Sequence, residues 1–205
     1  MKVIGLFGGT FDPVHAGHLA VIRAASAALE LDELRVLPAG DPWQKSARAV
    51  APAEHRVAML KGALADVEDV VLDTRELRRT GPTYTIDTLT ELRSELGLQC
   101  SLIWIIGSDA FSRISTWHRA AELPLLAHFA VVQRRGDTEN RMAFDPVERA
   151  HSTPNGCIVS LPVDAPNVSS TDIRLRVAHG GPIQGLTPDS VCDYIQAHSL
   201  YLETT

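Results

Sequence analysis

This sequence contains little of what identifies zinc-binding, redox, nucleic-acid-binding or membrane-spanning proteins. Its 205 residues include only three cysteines, which are far apart and lack the C-x-x-C spacing of zinc and redox sites. Aromatic residues make up 5% of the chain. The sequence contains 19 lysines and arginines and 25 aspartates and glutamates, so the net charge is −6. This balance argues against a broad basic surface for a nucleic acid polymer. The chain also lacks an apolar run long enough to span a membrane.

Length and composition place the chain among ordinary globular proteins. Hydrophobic residues make up 45% and charged residues 21%, and 205 residues can bury a sizeable core. We predict a single domain over residues 1–205. The dispersed Cys100, Cys157 and Cys192 indicate reduced thiols, and no signal peptide is visible, so we expect a cytoplasmic protein. The oligomeric state stays open, and a homo-oligomer is compatible with the sequence.

Apolar, β-branched runs alternate with helical patterns along the chain. This alternation predicts an α/β fold with a doubly wound parallel sheet, covered by helices on both faces. The α/β core is assigned to residues 1–166 and a helical C-terminal segment to 167–205. Turn-rich residues 40–52 and 134–155 predict two long loops. The predicted strands are 3–7, 33–37, 70–72, 102–106, 129–133 and 157–161, and the predicted helices are 16–29, 53–64, 85–96, 116–122, 170–178 and 188–197.

The run G-G-T-F-D-P-V-H-A-G-H at residues 8–18 carries the strongest functional signal. Two glycines and Thr10 are expected to form a turn after the first strand, where backbone can approach a ligand closely. A helix begins at about Ala16, and the unpaired N–H groups and positive dipole of a helix start attract anions. His15 and His18 are three residues apart and project from one face, so they predict a clamp for a polyphosphate.

The run V-S-S-T-D-I-R at residues 168–174 is the second signal. A helix start with Ser169, Ser170 and Thr171, and with Arg174 one turn later, offers amides, hydroxyls and a guanidinium to phosphate oxygens. By itself the segment also fits an ordinary capped helix with a solvated arginine. In combination with the first run it predicts a phosphate-binding site.

Polar residues follow four of the predicted strands. Ligands of open parallel α/β sheets bind beyond the carboxyl ends of the strands, near the point where strand order reverses. Residues 8–10, 38–45 and 107–109 each follow a predicted strand, and Arg134 follows another. We therefore expect one binding site at this edge of the sheet.

The two runs resemble the two signatures of the HxGH nucleotidyltransferases. The first signature appears as H-A-G-H at residues 15–18. The second, I-S-S-T-x-I-R, matches residues 168–174 with Val168 in place of the first isoleucine. Three further segments are similar to the bacterial nicotinate mononucleotide adenylyltransferases: 81–89, 106–110 and the W-H pair at 117–118. The resemblance covers nearly the whole chain. It implies a Rossmann-like fold and an enzyme of NAD biosynthesis that transfers the adenylyl group of ATP to nicotinate mononucleotide, giving nicotinate adenine dinucleotide and pyrophosphate.

The resemblance also implies roles for individual residues. His15 and His18 would be catalytic contacts to the transferring phosphates, and catalytic Arg174 would hold the β- and γ-phosphates. Trp117 would stack on the pyridine ring, with Thr85 near its carboxylate. The implied ATP-binding residues are Gly8, Gly9, Thr10, Phe11, His15, His18, Gly107, Asp109, Ser169, Ser170, Thr171 and Arg174, and the implied mononucleotide-binding residues are Lys45, Tyr84, Thr85, Asp109, Trp117 and Arg134.

Some of these positions have a structural alternative or depart from the family pattern. Trp117 also fits a core position, and Asp109 also fits a helix cap. Relatives often have Pro-His-Lys at this point, and Gln44 of this chain departs from that pattern. Lys45 is retained, and its ammonium group could bind a phosphate as a point charge. Many relatives have proline where this chain has Arg135. The consequences of the changes at Gln44 and Arg135 are open.

The expected metal follows from the residues, and the expected substrates follow from the resemblance. No dedicated carboxylate cage is visible, so Mg²⁺ is expected to be carried by the ATP phosphates. ATP and the mononucleotide are the expected partners, without a nucleic acid polymer or a membrane. An enzyme for nicotinamide mononucleotide or phosphopantetheine, or a non-catalytic nucleotide-binding module on the same fold, remain alternatives.

Overall fold

The computed structural model describes residues 1–40, 50–134 and 144–202. Its centre is a six-stranded sheet in which every pair of neighbouring strands is parallel. The strands are β1 (Lys2–Gly9), β2 (Glu33–Pro38), β3 (Val70–Leu72), β4 (Cys100–Gly107), β5 (His128–Arg134) and β6 (Ile158–Val163). Their order is β3-β2-β1-β4-β5-β6, so the order reverses between β1 and β4. The predicted doubly wound α/β sheet is confirmed, and ligands of such sheets bind at this reversal.

Both faces of the sheet are buried under helices. In β1, Val3 and Phe7 face one hydrophobic core while Ile4 and Leu6 face the other, as expected when side chains alternate along a strand. The described helices are α1 (Ala16–Ala28), α2 (Ala53–Leu64), α3 (Thr85–Leu96), α4 (Ser108–Phe111), α5 (Val147–Ser152), α6 (Ser170–Ala178) and α7 (Asp189–Ala197).

The first core joins the C-terminal helices to the rest of the sheet. Ile22 of α1 and Met59 of α2 share it with Ile173 of α6 and Ile195 of α7. The second core is covered by α3, which contributes Leu89. Packing α6 against the face that holds α1 brings the second signature beside the first. Among the described residues, no helix is both long and apolar enough to cross a membrane.

The predicted helix over residues 116–122 is wrong. The structure has two short 3₁₀ helices, Ile114–Thr116 and Ala120–Leu125, separated by residues 117–119. Arg119 has a φ of 52°, in the left-handed region that α-helices exclude. The backbone therefore changes direction at this point and presents Trp117 from an irregular connection.

A predicted loop and the start of the last helix also differ from the prediction. The predicted loop over residues 134–155 contains α5, which inserts Ala150 into the first core. Helix α7 begins at Asp189 with Pro188 as its N-cap, one residue later than predicted. The hydroxyl of Thr187, the residue before that N-cap, donates to the Val14 carbonyl at 2.7 Å.

Candidate active site

The first signature forms the end of a strand and the turn that follows it. Gly8 and Gly9 belong to β1 and pair with the end of β2, so the prediction that they form the turn is wrong. A Cβ atom at Gly8 would lie 2.8 Å from the Trp104 ring, so packing against β4 requires glycine there. The turn begins after Gly9, and Phe11 adopts the positive φ of 51° within it.

His15 and His18 cap the start of α1 for each other. The His18 backbone N–H donates to His15 Nδ1 at 3.4 Å, and the His15 backbone N–H donates to His18 Nδ1 at 3.2 Å. This reciprocal arrangement is a capping box built from two imidazoles. The rings stack with centroids 3.7 Å apart, and the Phe11 ring packs edge-on against His18 at 4.9 Å.

The capping bonds determine which ring nitrogen carries the proton. Because both Nδ1 atoms accept backbone N–H groups, a neutral imidazole at either position carries its proton on Nε2. An Nε2–H is a donor that suits a phosphate oxygen. Since His15 is buried and held against His18, the two donors are oriented before any ligand arrives.

The second signature is attached directly to the turn of the first. The Ser170 hydroxyl donates to the Pro13 carbonyl at 2.9 Å. Arg174 Nη1 donates to the Asp12 carbonyl, and Arg174 Nη2 donates to the Thr171 hydroxyl at 2.9 Å. These bonds bring the guanidinium of Arg174 to the backbone that precedes the histidine pair.

The hydroxyls expected at the triphosphate have roles within the chain. Ser169 is the N-cap of α6, and its side chain accepts the Asp172 N–H at 3.1 Å, which confirms the predicted cap. Ser170 ties α6 to the turn, and Thr171 accepts from Arg174. The arrangement thus leaves the guanidinium and the helix start as the main features of α6 that suit an anion.

A cavity of about 260 Å³ opens beside the order reversal of the sheet. It lies between the ends of β1 and β4, the start of α3 and the Trp117 connection. Seven of the predicted site residues line it: Gly8, Gly9, Thr10, Tyr84, Thr85, Gly107 and Trp117.

One wall of the cavity is aromatic and one end is a helix start. Trp117 packs partly buried against the second core and also lines the cavity, so its stacking on a pyridine ring stays a prediction. Tyr84 and His118 also line the cavity, and their rings pack against each other with centroids 4.5 Å apart. Thr85 is the first residue of α3, whose N–H groups and dipole favour an anion at this end.

Comparison with known proteins places this geometry in a family. The family model described as cytidylyltransferase-like matches residues 6–176. A probable nicotinate-nucleotide adenylyltransferase of Albidiferax ferrireducens is 42% identical over 201 residues, covering 98% of each chain. A relative of the same description from Streptomyces coelicolor is 42% identical over 194 residues, covering 95% of this chain and 98% of its own. The chain belongs to the nicotinate-nucleotide adenylyltransferase family.

A solved structure supports the fold of this family member. Nicotinic acid mononucleotide adenylyltransferase of Plasmodium falciparum, complexed with NaAD, superposes with a TM-score of 0.77 over 98% of each chain. At 19% identity this similarity concerns the fold alone.

Several other predicted site residues do not line this cavity, among them His15, His18 and Arg174 of the two signatures. Asp109 is exposed in the first turn of α4, on the rim between two lining residues. Phe11 is buried at 1% exposure and packs in the core, against the ring of His18. Arg134 ends β5 at the same edge of the sheet. Lys45, like Gln44, lies outside the described residues.

Sequence reasoning missed Arg56, which is buried at 2% exposure. Its guanidinium donates to the Thr10 carbonyl at 2.9 Å and to the Ala51 carbonyl at 3.0 Å, so it joins the first signature to the start of α2. Burial lowers the pKa of the Arg56 guanidinium, and the Asp12 carboxylate opposes that shift. The available signal was its position on the buried face of α2, one turn before Met59.

Glu76 is a second residue that sequence reasoning missed. It lines the cavity at 5% exposure, and its Oε1 accepts the Thr88 hydroxyl at 2.7 Å. Burial raises the pKa of Glu76 from 4.5 to about 7, and the Thr88 hydroxyl and the Arg79 charge only partly oppose this shift. Near neutral pH the wall therefore carries a carboxyl group that is partly protonated.

We expect Glu76→Gln to stabilise the protein under basic conditions and to change little under acidic ones. The folded protein keeps the Glu76 proton up to about pH 7, whereas the unfolded chain releases it near 4.5. Stability of the wild type therefore falls as pH rises between these values, by on the order of 3 kcal/mol in total. Glutamine still accepts from Thr88 and does not ionise.

Melting temperatures of wild type and Glu76→Gln at about pH 5 and about pH 8 test this expectation. The variant should gain stability relative to wild type only at the higher pH. Glu54→Gln, at an exposed position of α2, is the matched control and should show no such divergence. Equal shifts for Glu76→Gln at both pH values would contradict the ionisation argument.

Proposed function

We propose that this protein transfers the adenylyl group of ATP to nicotinate mononucleotide, forming nicotinate adenine dinucleotide and pyrophosphate. The observation that carries the proposal is the reciprocal histidine capping box, which holds two imidazoles together at the start of α1, at the edge where α/β sheets bind ligands. Membership of the nicotinate-nucleotide adenylyltransferase family supports the same reaction.

The chemistry requires little covalent help from the protein. A phosphate oxygen of the mononucleotide attacks the α-phosphorus of ATP, and the bond from that phosphorus to the bridging oxygen of the β-phosphate breaks. The attacking phosphate is already anionic, so no protein base is needed. The protein must hold two mutually repelling anions in line and stabilise the charge that moves to pyrophosphate.

The histidine pair and Arg174 suit these two tasks. His18, at the start of α1 and less buried than His15, is assigned to the α-phosphate, where charge changes most during transfer. His15 supports it through the stacked ring and the shared cap. Arg174 is assigned to the β- and γ-phosphates, since its guanidinium lies against the same turn.

We propose that Mg²⁺ enters as part of the substrate, bound to the phosphates of ATP. Within residues 1–40, 50–134 and 144–202, no group of three or more His, Cys, Asp or Glu side chains could hold a metal ion. The buried carboxylate near the phosphates, Asp12, already accepts from Tyr201 and Ala51. Magnesium tolerates this arrangement because it commonly keeps waters and substrate phosphates as ligands.

The cavity is proposed to hold the nicotinate end of the mononucleotide. The Trp117 face supports stacking with an electron-poor ring, and the N–H groups at the start of α3 support a carboxylate. Glu76 on the wall is the feature that would suit an amide instead, since its carboxyl group can accept an N–H. The acid and amide substrates therefore need direct comparison.

We also place the enzyme in the cytoplasm. Cys100, Cys157 and Cys192 all lie in the described part of the chain as free thiols, which supports a reducing compartment.

Pyrophosphate release from MgATP tests the proposed reaction. The assay is run with nicotinate mononucleotide, nicotinamide mononucleotide and phosphopantetheine in parallel. We expect the largest kcat/KM for the nicotinate substrate. Preference for the amide would overturn the assignment of the substrate while keeping the mechanism. ATP binding without turnover of any of the three would overturn the enzymatic function.

Trp117→Ala should weaken the mononucleotide and leave ATP nearly unaffected. Loss of the stacking face is expected to raise the KM of nicotinate mononucleotide about tenfold, from the 1–2 kcal/mol typical of such contacts. Steady-state kinetics with each substrate varied measure both constants. Trp117→Phe should recover part of the loss, because it keeps an aromatic face. Equal losses for both substrates would make Trp117 a core residue only.

A further inference from the structure

A buried carboxylate lies behind Arg174, in the turn between β1 and the histidine pair. Asp12 is 2% exposed, and its Oδ1 accepts the Tyr201 hydroxyl at 2.8 Å and the Ala51 N–H at 3.3 Å. Its Oδ2 lies 3.7 Å from Arg174 Nη1. A buried charge is costly without partners, so the position of this carboxylate depends on the groups that reach it.

Tyr201 reaches Asp12 from the segment that follows α7. Its backbone has a φ of 64°, which is uncommon for a residue other than glycine, and its half-buried ring packs on the first core. Burial and the adjacent Asp12 carboxylate raise the pKa of the Tyr201 hydroxyl above its ordinary value. The hydroxyl is therefore a permanent donor to Asp12 over the physiological pH range.

Arg174 is held by the same aspartate twice. Its Nη1 donates to the Asp12 carbonyl and lies beside the Asp12 carboxylate, while Nη2 donates to Thr171. The side chain of Arg174 is 14% exposed, so it is largely buried where it makes these contacts. A shift of the Asp12 carboxylate therefore changes the direction in which the guanidinium can meet a ligand.

We propose that Tyr201 is a positioning residue for ATP, which acts through Asp12 on Arg174. The Tyr201 hydroxyl holds one oxygen of the carboxylate, and the other oxygen then lies beside the guanidinium. Without the hydroxyl, the carboxylate turns toward its remaining donors and draws Arg174 away from the β- and γ-phosphates. The proposal rests on the proposed function in one respect, the contact of Arg174 with the triphosphate.

Tyr201→Phe tests the proposal by removing only the hydroxyl. Affinity is measured first with the magnesium complex of an α,β-methylene analogue of ATP, which binds without adenylyl transfer, and steady-state kinetics follow with both substrates. We expect the Kd of the analogue and the KM of ATP to rise about tenfold, as for loss of a hydrogen bond to a charged group. The KM of nicotinate mononucleotide should stay unchanged.

Tyr194→Phe is the matched control on the same C-terminal segment. The Tyr194 hydroxyl lies 3.1 Å from His55 Nδ1, away from Asp12, so its loss should leave the analogue affinity at the wild-type value. Melting temperatures are compared for both variants. A Tyr201→Phe protein with unchanged ATP constants would overturn the proposal. So would one too unstable to titrate, because the hydroxyl would then serve folding.

The double variant Tyr201→Phe/Arg174→Ala separates positioning from a general effect on the site. If Tyr201 acts through Arg174, its substitution should add no further loss of analogue affinity once Arg174 is absent. An additive loss would contradict the proposed route. A wild-type protein that binds the analogue but releases no pyrophosphate would overturn the proposed function, whereas the binding cycle would still decide the role of Tyr201.

Discussion

Substitution of His18 by alanine should lower kcat by on the order of 10²- to 10³-fold while KM for each substrate changes little, as observed for lost transition-state donors. The reason is that the Nε2–H of His18 is assigned to the phosphorus at which charge shifts during transfer. A contact that strengthens in the transition state contributes to kcat, whereas a contact of equal strength in both states would appear in KM.

Two other substitutions at His18 separate catalysis from helix capping. Asparagine can present an oxygen where Nδ1 accepts the His15 N–H, but it lacks a donor at the Nε2 position. Glutamine can instead present an N–H near the Nε2 position. We expect His18→Asn to keep the wild-type melting temperature and to lose kcat as fully as alanine. His18→Gln should recover part of kcat.

His179→Ala is the control for loss of a histidine elsewhere. This exposed residue follows α6, and its Nδ1 lies 2.7 Å from the carbonyl oxygen of Leu175 within the same turn. Pyrophosphate release should be unchanged. Near-normal kcat in His18→Ala would reject the catalytic assignment, and a kcat loss matched by a large fall in melting temperature in His18→Asn would assign His18 to the fold instead.

The strands and most helices could be predicted because their signals are local. Runs such as 102–106 are apolar and β-branched, and a parallel sheet buried on both faces requires that composition. The helix predicted at 116–122 was wrong for an equally local reason, since no propensity rule anticipates the left-handed backbone conformation of Arg119. The prediction that Gly8 and Gly9 form a turn was wrong because the requirement for glycine at Gly8 comes from Trp104, which lies on another strand.

The candidate site was predictable only where its residues belong to short motifs. His15, His18 and Arg174 stand in the two signatures, and the fold brings those signatures together through Ser170 and the turn. Tyr201 and its partner Asp12 are 189 positions apart in sequence, so no spacing rule connects them. Buried polar residues of this kind acquire their role from tertiary packing, which the one-dimensional pattern does not contain.

Arg174→Ala should give the second large effect, a fall in kcat/KM for ATP of on the order of 100-fold, the scale expected when one partner of a close charge pair is removed. The guanidinium is assigned to the β- and γ-phosphates, where negative charge increases as pyrophosphate leaves. KM for nicotinate mononucleotide should stay near the wild-type value, because its ring and carboxylate are assigned to the cavity beside Trp117 and α3.

Arg174→Lys and Arg176→Ala make this expectation specific. Lysine keeps the charge but cannot donate to the Asp12 carbonyl and the Thr171 hydroxyl in the fixed geometry of a guanidinium, so an intermediate loss is expected. Arg176, two residues further along α6, is half-exposed and pairs with Asp172 at 3.1 Å, so its removal should leave pyrophosphate release unchanged. Equal losses in Arg174→Ala and Arg176→Ala would reduce the assignment to a general effect of positive charge on α6. A loss confined to Arg174, with lysine in between, requires a guanidinium held in one orientation against the Asp12 turn.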